Sequence, residues 1–268
     1  MKRDIRVMLV ENDPYARDLM GLLLRRDWRT MVVAETGDMT AVPGLLAKMR
    51  VDVLLLNTEH PTDPHWAGRI IEAIKEIKKP PLIVVTGTHP NPVTLQSLKA
   101  PVYTGYLLKG EIAYSLAWAV TLAAEGNCVV TPTIEALAAT TGFAFPRQPV
   151  ILDGKASVTG FTPREAEIAR LAILFNLPRR DLADELTKSP ATIFETVSQV
   201  YEKLGLWDIL DGEVDPTVYF SGHDLVLQHF KESLTDIWPE AKGLEAKGRK
   251  GHDKDTLAFH LLTIPEIR

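Results

Sequence analysis

The stretch Val-Asp-Val-Leu-Leu-Leu-Asn, residues 51–57, decides the fold of the first half of the chain. Its nearly continuous apolar run is typical of a parallel strand that helices cover on both faces. Asn57 ends this strand, and open α/β sheets place their sites at the carboxyl ends of their strands. An aspartate there would offer a carboxylate oxygen to a phosphoryl donor, whereas an amide has no comparable nucleophile. The stretch therefore predicts a buried strand whose site-forming end lacks a nucleophile.

Length and composition indicate a globular protein of two modest domains. The chain has 268 residues, of which 46% are hydrophobic and 24% charged. Domains of about 100–150 residues are the most common size. The net charge of −5 argues against a broad surface that coats nucleic acid, but it leaves room for a small basic site.

Several features favour a cytoplasmic protein without a membrane partner. The apolar runs fall short of the roughly 20 residues that a membrane span needs, and the first residues show no signal-peptide pattern. The single cysteine, Cys128, excludes an internal disulfide and suits a reducing compartment. We interpret Cys128 as a small apolar filler, with an intermolecular disulfide or a redox sensor at a dimer hinge as the alternative.

Strand-like and helix-like stretches alternate regularly through residues 1–126. Short apolar or β-branched runs predict strands at residues 5–10, 31–34, 51–56, 82–86 and 102–108. Helical patterns follow them at residues 15–26, 39–49, 66–78, 93–98 and 112–124. Five such units predict an α/β fold, a flavodoxin-like, doubly wound sheet of five parallel strands. Tyr114 and Trp118 on the last helix could carry a dimer face, although such apolar positions usually belong to a core.

A second, all-α domain begins with the run Thr162-Pro163-Arg164-Glu165, which combines a capping threonine, a proline at the first helical position and a capping-box glutamate. Two more helices fit residues 179–186 and 189–204, and three helices at this spacing predict a helix-turn-helix. The predicted domains are an α/β domain at 1–126, a linker with a short helix at 127–159, the helix-turn-helix at 160–210, and a helical extension with a tail at 211–268.

The first domain resembles the receiver domain of response regulators over residues 4–126. The resemblance is carried by Val-Glu-Asn-Asp-Pro at 10–14, Asn57 followed by Pro61, Val-Val-Thr-Gly at 84–87 and Gly-Tyr-Leu-Leu-Lys at 105–109. In that family two acidic residues hold Mg²⁺, an aspartate accepts phosphate, a hydroxyl and a lysine bind the phosphoryl oxygens, and an aromatic residue switches rotamer. The matching positions hold Glu11 and Asn12, then Asn57, Thr86, Lys109 and Tyr106.

The amides in this pocket change what the resemblance implies. Two of the three metal-directed carboxylates are missing, and Mg²⁺ prefers carboxylate and water oxygens. We therefore expect no metal and no cofactor, although Asp13 or Glu59 could add a carboxylate near Glu11. Lys109 also loses its usual aspartate partner, which one of these three acids could replace. The pocket is then either a structural polar cluster, or part of a domain that is locked in one state or switched by a ligand or a protein partner in place of a histidine kinase.

The second domain resembles the LuxR/NarL-type DNA-binding domain over residues 160–206. The carrying runs are 161–165, 182–186, 189–193 and Lys-Leu-Gly at 203–205. A position that is usually basic in the family holds Phe194, and Glu195 follows it. Phosphate contacts come mainly from Lys and Arg, so the reading helix departs from the family. The residues expected to contact DNA are Arg179, Arg180, Lys188, Thr192, Phe194, Glu195, Thr196, Gln199 and Lys203.

The sequence shows no enzymatic signature. Its seven histidines have no metal-ligand spacing, and neither a phosphate-cradling glycine loop nor a nucleophile elbow is present. We interpret the chain as an atypical, phosphorylation-independent response regulator that dimerises through its receiver domain and binds DNA to regulate transcription. The alternative is a non-enzymatic adaptor that uses both domains for protein contacts.

Overall fold

The computed structural model describes residues 5–59, 66–75, 77–98, 103–154, 160–210 and 250–268. The chain divides into two compact units: residues 1–156 together with 263–268, and residues 157–262. In the described ranges, none of the helices has the length and apolar character that crossing a membrane requires.

Among the described residues, an eight-stranded sheet forms the centre of the first unit. Its strands are β1 (Ile5–Val10), β2 (Thr30–Thr36), β3 (Val53–Asn57), β4 (Leu82–Gly87), β5 (Tyr103–Leu108), β6 (Cys128–Val130), β7 (Pro149–Asp153) and β8 (Glu266–Ile267). They lie in the order β2-β1-β3-β4-β5-β6-β7-β8, and β8 alone among them pairs antiparallel with its neighbour. All five residues of β3 are buried, as expected for the strand that decides the fold.

Helices connect these strands. They are α1 (Pro14–Arg26), α2 (Val42–Lys48), α3 (Trp66–Lys75), α4 (Pro92–Ser97), α5 (Lys109–Ile112), α6 (Leu116–Ala124) and α7 (Pro132–Thr141), with short 3₁₀ turns at Met39–Ala41 and Ala113–Ser115. The predicted single helix at 112–124 is therefore interrupted. Ala113 has a φ of 44°, a value that no α-helical residue adopts, so the chain breaks between α5 and α6.

The predictions of five strands and of a linker at 127–159 are wrong. β6 and β7 extend the parallel sheet, and α7 is the crossover that joins them, since parallel neighbours need such a connection. The short helix predicted in the linker is part of this crossover. β6 has only three residues, too few to show a strand periodicity in the sequence. The first unit consequently extends to residue 156 rather than 126.

Trp118 lies in the core rather than on an exposed dimer face. Its side chain is fully buried, and its indole Nε1 donates to Oγ1 of Thr263 at 3.2 Å. The guanidinium carbon of Arg29 lies 4.1 Å from the ring centroid, and the same guanidinium forms a bidentate pair with buried Asp27. The contacts with Thr263 and Arg29 therefore cover the Trp118 side chain, which the sequence had offered as part of a dimer face.

The described part of the second unit consists of helices: α8 (Pro163–Ala169), continued by a π-helical turn at Arg170–Leu174, then α9 (Arg179–Glu185), α10 (Pro190–Lys203), α11 (Leu206–Leu210) and α12 (Lys250–Leu262). The expected capping box opens α8, with Thr162 and Glu165 bonded reciprocally. Ser189 caps α10 by accepting from the backbone N–H of Thr192 at 3.1 Å.

The predicted extension at 211–268 needs correction in its final part. Residues 211–249 lie outside the described residues, and α12 belongs to the second unit. Residues 263–268, the end of the predicted extension and tail, belong to the first unit and supply β8. Ile151 and Arg268 exchange both backbone hydrogen bonds, at 3.2 and 3.0 Å. A strand of two residues gives no pattern that a sequence could reveal.

Candidate functional site

The side chain of Asn57 uses both ends of its amide at the carboxyl end of β3. Nδ2 donates to Oε1 of Glu11 at 3.0 Å and also to Oδ1 of Asn12. Oδ1 accepts from the backbone N–H of Glu59 at 3.1 Å. Only 1% of Asn57 is exposed. The amide is thus a fixed donor between two oxygen acceptors, which a carboxylate at the same position could not be.

Glu11 is the buried acid of this pocket, with no exposed surface. Its Oε1 accepts from Asn57 and from the backbone N–H of Asp13 at 3.0 Å, and its Oε2 lies 2.6 Å from Nζ of Lys109. The nearest oxygen of Glu59 is 3.9 Å from the same Nζ. Asp13 caps α1 instead, by accepting from the backbone N–H of Ala16. Of the three acids considered from the sequence, Glu11 is therefore the close partner of Lys109.

Glu59 closes one side of the pocket through the loop after β4. Its carboxylate accepts from the backbone N–H and hydroxyl of Thr88, at 2.7 and 2.8 Å, and from the backbone N–H of His89 at 3.2 Å. Burial raises the pKa of the Glu59 carboxyl, but the bonds from Thr88 and His89 and the charge of Lys109 outweigh it, so the pKa lies below its ordinary value.

Thr86 and Tyr106 complete the set of residues expected in the pocket. Thr86 pairs with Asn57 in the register of β3 and β4, and its buried hydroxyl has no hydrogen-bond partner among the described residues. Tyr106 is fully buried; its hydroxyl donates to the carbonyl of His89 at 3.3 Å and accepts from the N–H of Asn91 at 3.2 Å. Burial raises the pKa of Tyr106. The aromatic ring therefore points inward and is held there.

This donor set does not fit Mg²⁺. The pocket offers amide groups from Asn12 and Asn57 and two carboxylates. The carboxylate of Glu11 is engaged by Lys109, and that of Glu59 accepts from Thr88 and His89. A magnesium site normally has one or two carboxylates free to bind the ion. Within the ranges that the structure describes, no three His, Cys, Asp or Glu side chains form a group suited to a metal ion.

The exposed face of α10 brings together most of the residues expected to contact DNA. Thr192, Phe194, Glu195 and Gln199 are exposed, whereas Ile193, Val197 and Val200 are buried against the rest of the unit. Thr196 is half-buried, and its hydroxyl donates to the carbonyl of Thr192 at 2.9 Å. Arg180 and Lys188 are exposed before α10 begins. The amphipathic pattern of α10 thus presents a mostly polar surface.

Two of the expected basic contacts have partners inside the unit. Nζ of Lys203 lies 2.7 Å from Oε2 of Glu165 and donates to the carbonyl of Gly160 at 2.8 Å. The ammonium of Lys203 thus links α10 to the start of α8, and a contact of Lys203 with DNA stays a prediction. The guanidinium of Arg179 lies 4.7 Å from the ring centroid of Phe194, a cation–π contact.

A contact between Tyr201 and Asp255 was not anticipated from the sequence. The Tyr201 hydroxyl donates to Oδ1 of Asp255 on α12 at 2.6 Å. Burial and the adjacent Asp255 carboxylate raise the pKa of Tyr201 to about 12, although Arg179 acts in the opposite direction. Asp255 lies in the predicted extension at 211–268, and a pair separated by 54 positions leaves no local signal.

Cys128 is a core residue of β6, in agreement with our first interpretation. It is buried, and burial raises the pKa of its thiol to about 11, despite a lowering effect of Arg147. Thiolates react, whereas buried neutral thiols are inert. Burial in β6 therefore favours the filler over the alternative of an intermolecular disulfide or a redox sensor at a dimer hinge.

No family model matches the chain, but curated relatives align with most of it. The transcriptional regulatory protein YxjL of Bacillus subtilis is 24% identical over 211 residues, which cover 77% of this chain and 92% of YxjL. The probable transcriptional regulatory protein NarL of Mycobacterium tuberculosis is 26% identical over 207 residues, which cover 76% of this chain and 89% of NarL. The chain is thus similar over about three quarters of its length to proteins described as transcriptional regulatory proteins.

Solved structures of response regulators are also similar to the chain. A complex of the response regulator RcsB with DNA is 22% identical, with a TM-score of 0.47, and the match covers 76% of this chain and 93% of RcsB. The isolated receiver domain of RcsB from Salmonella enterica serovar Typhimurium is 20% identical, with a TM-score of 0.43, and the match covers 50% of this chain and 99% of that domain.

Proposed function

We propose that this chain is a cytoplasmic, phosphorylation-independent response regulator that binds DNA and regulates transcription. The observation that carries the proposal is the amide of Asn57, which donates to Glu11 and Asn12 where the family has a reactive aspartate. Both curated relatives are described as transcriptional regulatory proteins rather than enzymes, which supports the assignment.

The first unit acts as a receiver domain without phosphate chemistry. Lys109 is paired with Glu11, so its charge is already neutralised in the absence of a phosphoryl group. The amide nitrogen of Asn57 faces two oxygen acceptors, and its carbonyl oxygen is held by the backbone of Glu59. No carboxylate stands at position 57 to attack a phosphoryl donor. The domain is consequently held in one state, or a protein partner takes the place of a histidine kinase.

The second unit acts as a LuxR/NarL-type helix-turn-helix domain. The exposed face of α10 lies in the major groove, where the N-terminal part of a recognition helix contacts base edges. Arg180 and Lys188 lie outside this face, are exposed and contact phosphates. Dimerisation through the first unit places two copies of α10 on half-sites about one helical turn apart.

A phosphodonor experiment tests the receiver part of the proposal. The full chain is incubated with acetyl phosphate and Mg²⁺, and its intact mass is measured under conditions that preserve acyl phosphates. We expect no phosphoryl adduct. A response regulator with an intact acceptor aspartate serves as the positive control, and an adduct on this chain would contradict the proposal.

A salt titration tests the DNA-binding part. The full chain should bind random-sequence duplex at about 50 mM salt and lose affinity steeply by about 200 mM, because phosphate contacts release counterions. The double variant Arg180→Ala/Lys188→Ala should weaken binding to every duplex and reduce the salt slope by about two. Lys48→Ala, which removes an exposed cation of the first unit, is the matched control.

The alternative function is a non-enzymatic adaptor. One observation favours it: Phe194 and Glu195 are both exposed on the face that would meet DNA, and a carboxylate there repels phosphates. Failure to bind duplex at about 50 mM salt, where electrostatic binding is favoured, would support the adaptor and exclude the regulator.

A further inference from the structure

We infer that Phe194 reads the methyl group of a thymine in the major groove, so that α10 selects DNA by an apolar contact. This inference rests on the proposed DNA binding. Phe194 is 49% exposed in the N-terminal half of α10, on a face whose other exposed side chains are polar. A large aromatic ring on such a face gains free energy from an apolar partner, because the contact removes apolar surface from water.

The ring of Phe194 is held in place before any partner arrives. The guanidinium of Arg179 lies 4.7 Å from its centroid, and Arg179 also interacts with the hydroxyl of Tyr201. Arg179 thereby covers one face of the ring, while about half of the Phe194 surface is exposed. A side chain fixed in this way loses little conformational freedom on binding, which is the condition for a specific contact.

The chemistry of the groove identifies the partner. In the major groove the base edges present hydrogen-bond donors and acceptors, and the 5-methyl group of thymine is the apolar exception. Phe194 has no hydrogen-bonding group, so any other base edge would be desolvated without compensation. A contact with the thymine methyl buries apolar surface on both sides.

The rest of α10 supports a reading role over a phosphate-binding role. No Lys or Arg occurs between residues 189 and 202, so the exposed face provides no cation for the DNA backbone. Glu195 accepts hydrogen bonds only, and its suitable partner among the bases is the amino group of cytosine. Phe194 and Glu195, the two departures from the basic pattern of the family, therefore each have a suitable partner on a base: the thymine methyl group and the cytosine amino group.

A uracil scan tests this inference. Duplexes that the full chain retains from a randomised pool are resynthesised with deoxyuridine in place of one thymidine at a time, which removes the methyl group and leaves the pairing unchanged. We expect one position in each half-site at which the dissociation constant rises about fourfold, the ratio for burying one methyl-sized group. The variant Phe194→Ala should bind thymidine and deoxyuridine equally at that position.

Two further variants separate a specific contact from a general loss of affinity. Phe194→Leu keeps an apolar side chain and should retain part of the discrimination, whereas Ser198→Ala changes another exposed residue of α10 and should leave the ratio at four. Duplex binding that no deoxyuridine alters, or discrimination that survives in Phe194→Ala, would overturn the inference while the proposed function stands. A chain that retains no duplex at all would overturn both and indicate a protein partner for Phe194.

Discussion

The ammonium of Lys109 lies 2.6 Å from Oε2 of Glu11, a carboxylate with no exposed surface. This ion pair joins the ends of β1 and β5 at the same edge of the sheet as Asn57. A buried charge is tolerated only when it is paired, so each residue depends on the other for its position.

Removing Lys109 should therefore destabilise the first unit strongly. We expect Lys109→Met to lower the free energy of unfolding by about 3 kcal/mol, because it leaves the Glu11 carboxylate buried without its countercharge. The double variant Glu11→Gln/Lys109→Met should recover part of this loss. Urea unfolding measures the free energy of unfolding of both variants. Arg25→Gln is the control, since the exposed ion pair of Arg25 with Glu35 contributes less than about 1 kcal/mol to stability. Equal costs for Lys109→Met and Arg25→Gln would contradict the prediction.

An aspartate at position 57 should also destabilise the chain. Asn57→Asp replaces a donor by an acceptor that faces Glu11 and Asn12, at a cost of about 2 kcal/mol near neutral pH. The like charge of Glu11 raises the pKa of the new carboxyl, so the penalty should shrink as the pH falls towards about 5 and the group becomes a donor again.

The matched control for this substitution is Asn91→Asp. The side chain of Asn91 only accepts, from the backbone N–H groups of Val93 and Thr94, and aspartate caps a helix equally well. This variant should be as stable as the wild type at both pH values. If Asn57→Asp is equally harmless in urea unfolding, the amide at position 57 is not fixed as a donor.

The Tyr201–Asp255 contact predicts how stability changes in alkali. The pKa of Tyr201 is about 12 in the fold, raised by burial and by Asp255, against about 10 in an unfolded chain. A raised pKa stabilises the fold below the unfolded value and ceases to do so as the pH rises through the folded one. The stabilising effect of Tyr201 over phenylalanine should therefore be complete at about pH 9 and smaller at about pH 11.

Urea midpoints of the wild type and Tyr201→Phe at the two pH values measure this change. At about pH 9 we expect Tyr201→Phe to lose about 1–2 kcal/mol, the range for a hydrogen bond to a charged acceptor. Tyr15→Phe is the control, since Tyr15 is 86% exposed. A difference that grows between pH 9 and pH 11 would reverse the predicted sign.

The pairing of β8 with β7 should protect the sheet from self-association. A chain that ends at Leu262 loses β8 and leaves unpaired the N–H and C=O groups on the side of β7 that faces away from β6, and such edges recruit other strands. We expect its mass in light scattering to increase with concentration relative to the full chain. Thr263→Val removes only the oxygen that accepts from Trp118, so it should keep the mass of the full chain. Identical masses for all three proteins would show that β8 is not needed to prevent self-association through the edge of β7.

Cys128 should be inert in the folded protein. Its thiol is buried and its pKa is raised to about 11, so little thiolate forms near pH 8. We expect iodoacetamide to alkylate Cys128 in urea but not in native buffer, as followed by intact mass. Labelling at the same rate under both conditions would restore the redox interpretation of this residue.

The sequence predicted the pocket better than it predicted the edge of the sheet. The residues after parallel strands meet at one edge, so Glu11, Asn57 and Lys109 could be placed together without a structure. Which acid reaches Lys109 stayed open, because it depends on Asp13 capping α1 and on Glu59 binding the loop after β4. Such choices are set by side-chain geometry, which spacing does not encode.

The missed elements share a physical cause. β6 and β8 have three and two residues, shorter than any periodicity can reveal, and both depend on partners for their conformation. In the same way, the hydrogen bond between Tyr201 and Asp255 depends on the packing of α12 and not on local propensity. Long-range pairing of short segments is decided by tertiary context, which overrides the local pattern.

The antiparallel partner of β7 also fixes an order of events during synthesis. β7 ends at Asp153, but residues 266 and 267 leave the ribosome about 110 residues later, after all the helices of the second unit. In the nascent first unit, β7 must therefore remain without its partner β8 while the intervening residues are translated. Closing so long a loop is slow, and the step that completes this unit is expected to be the last in its folding.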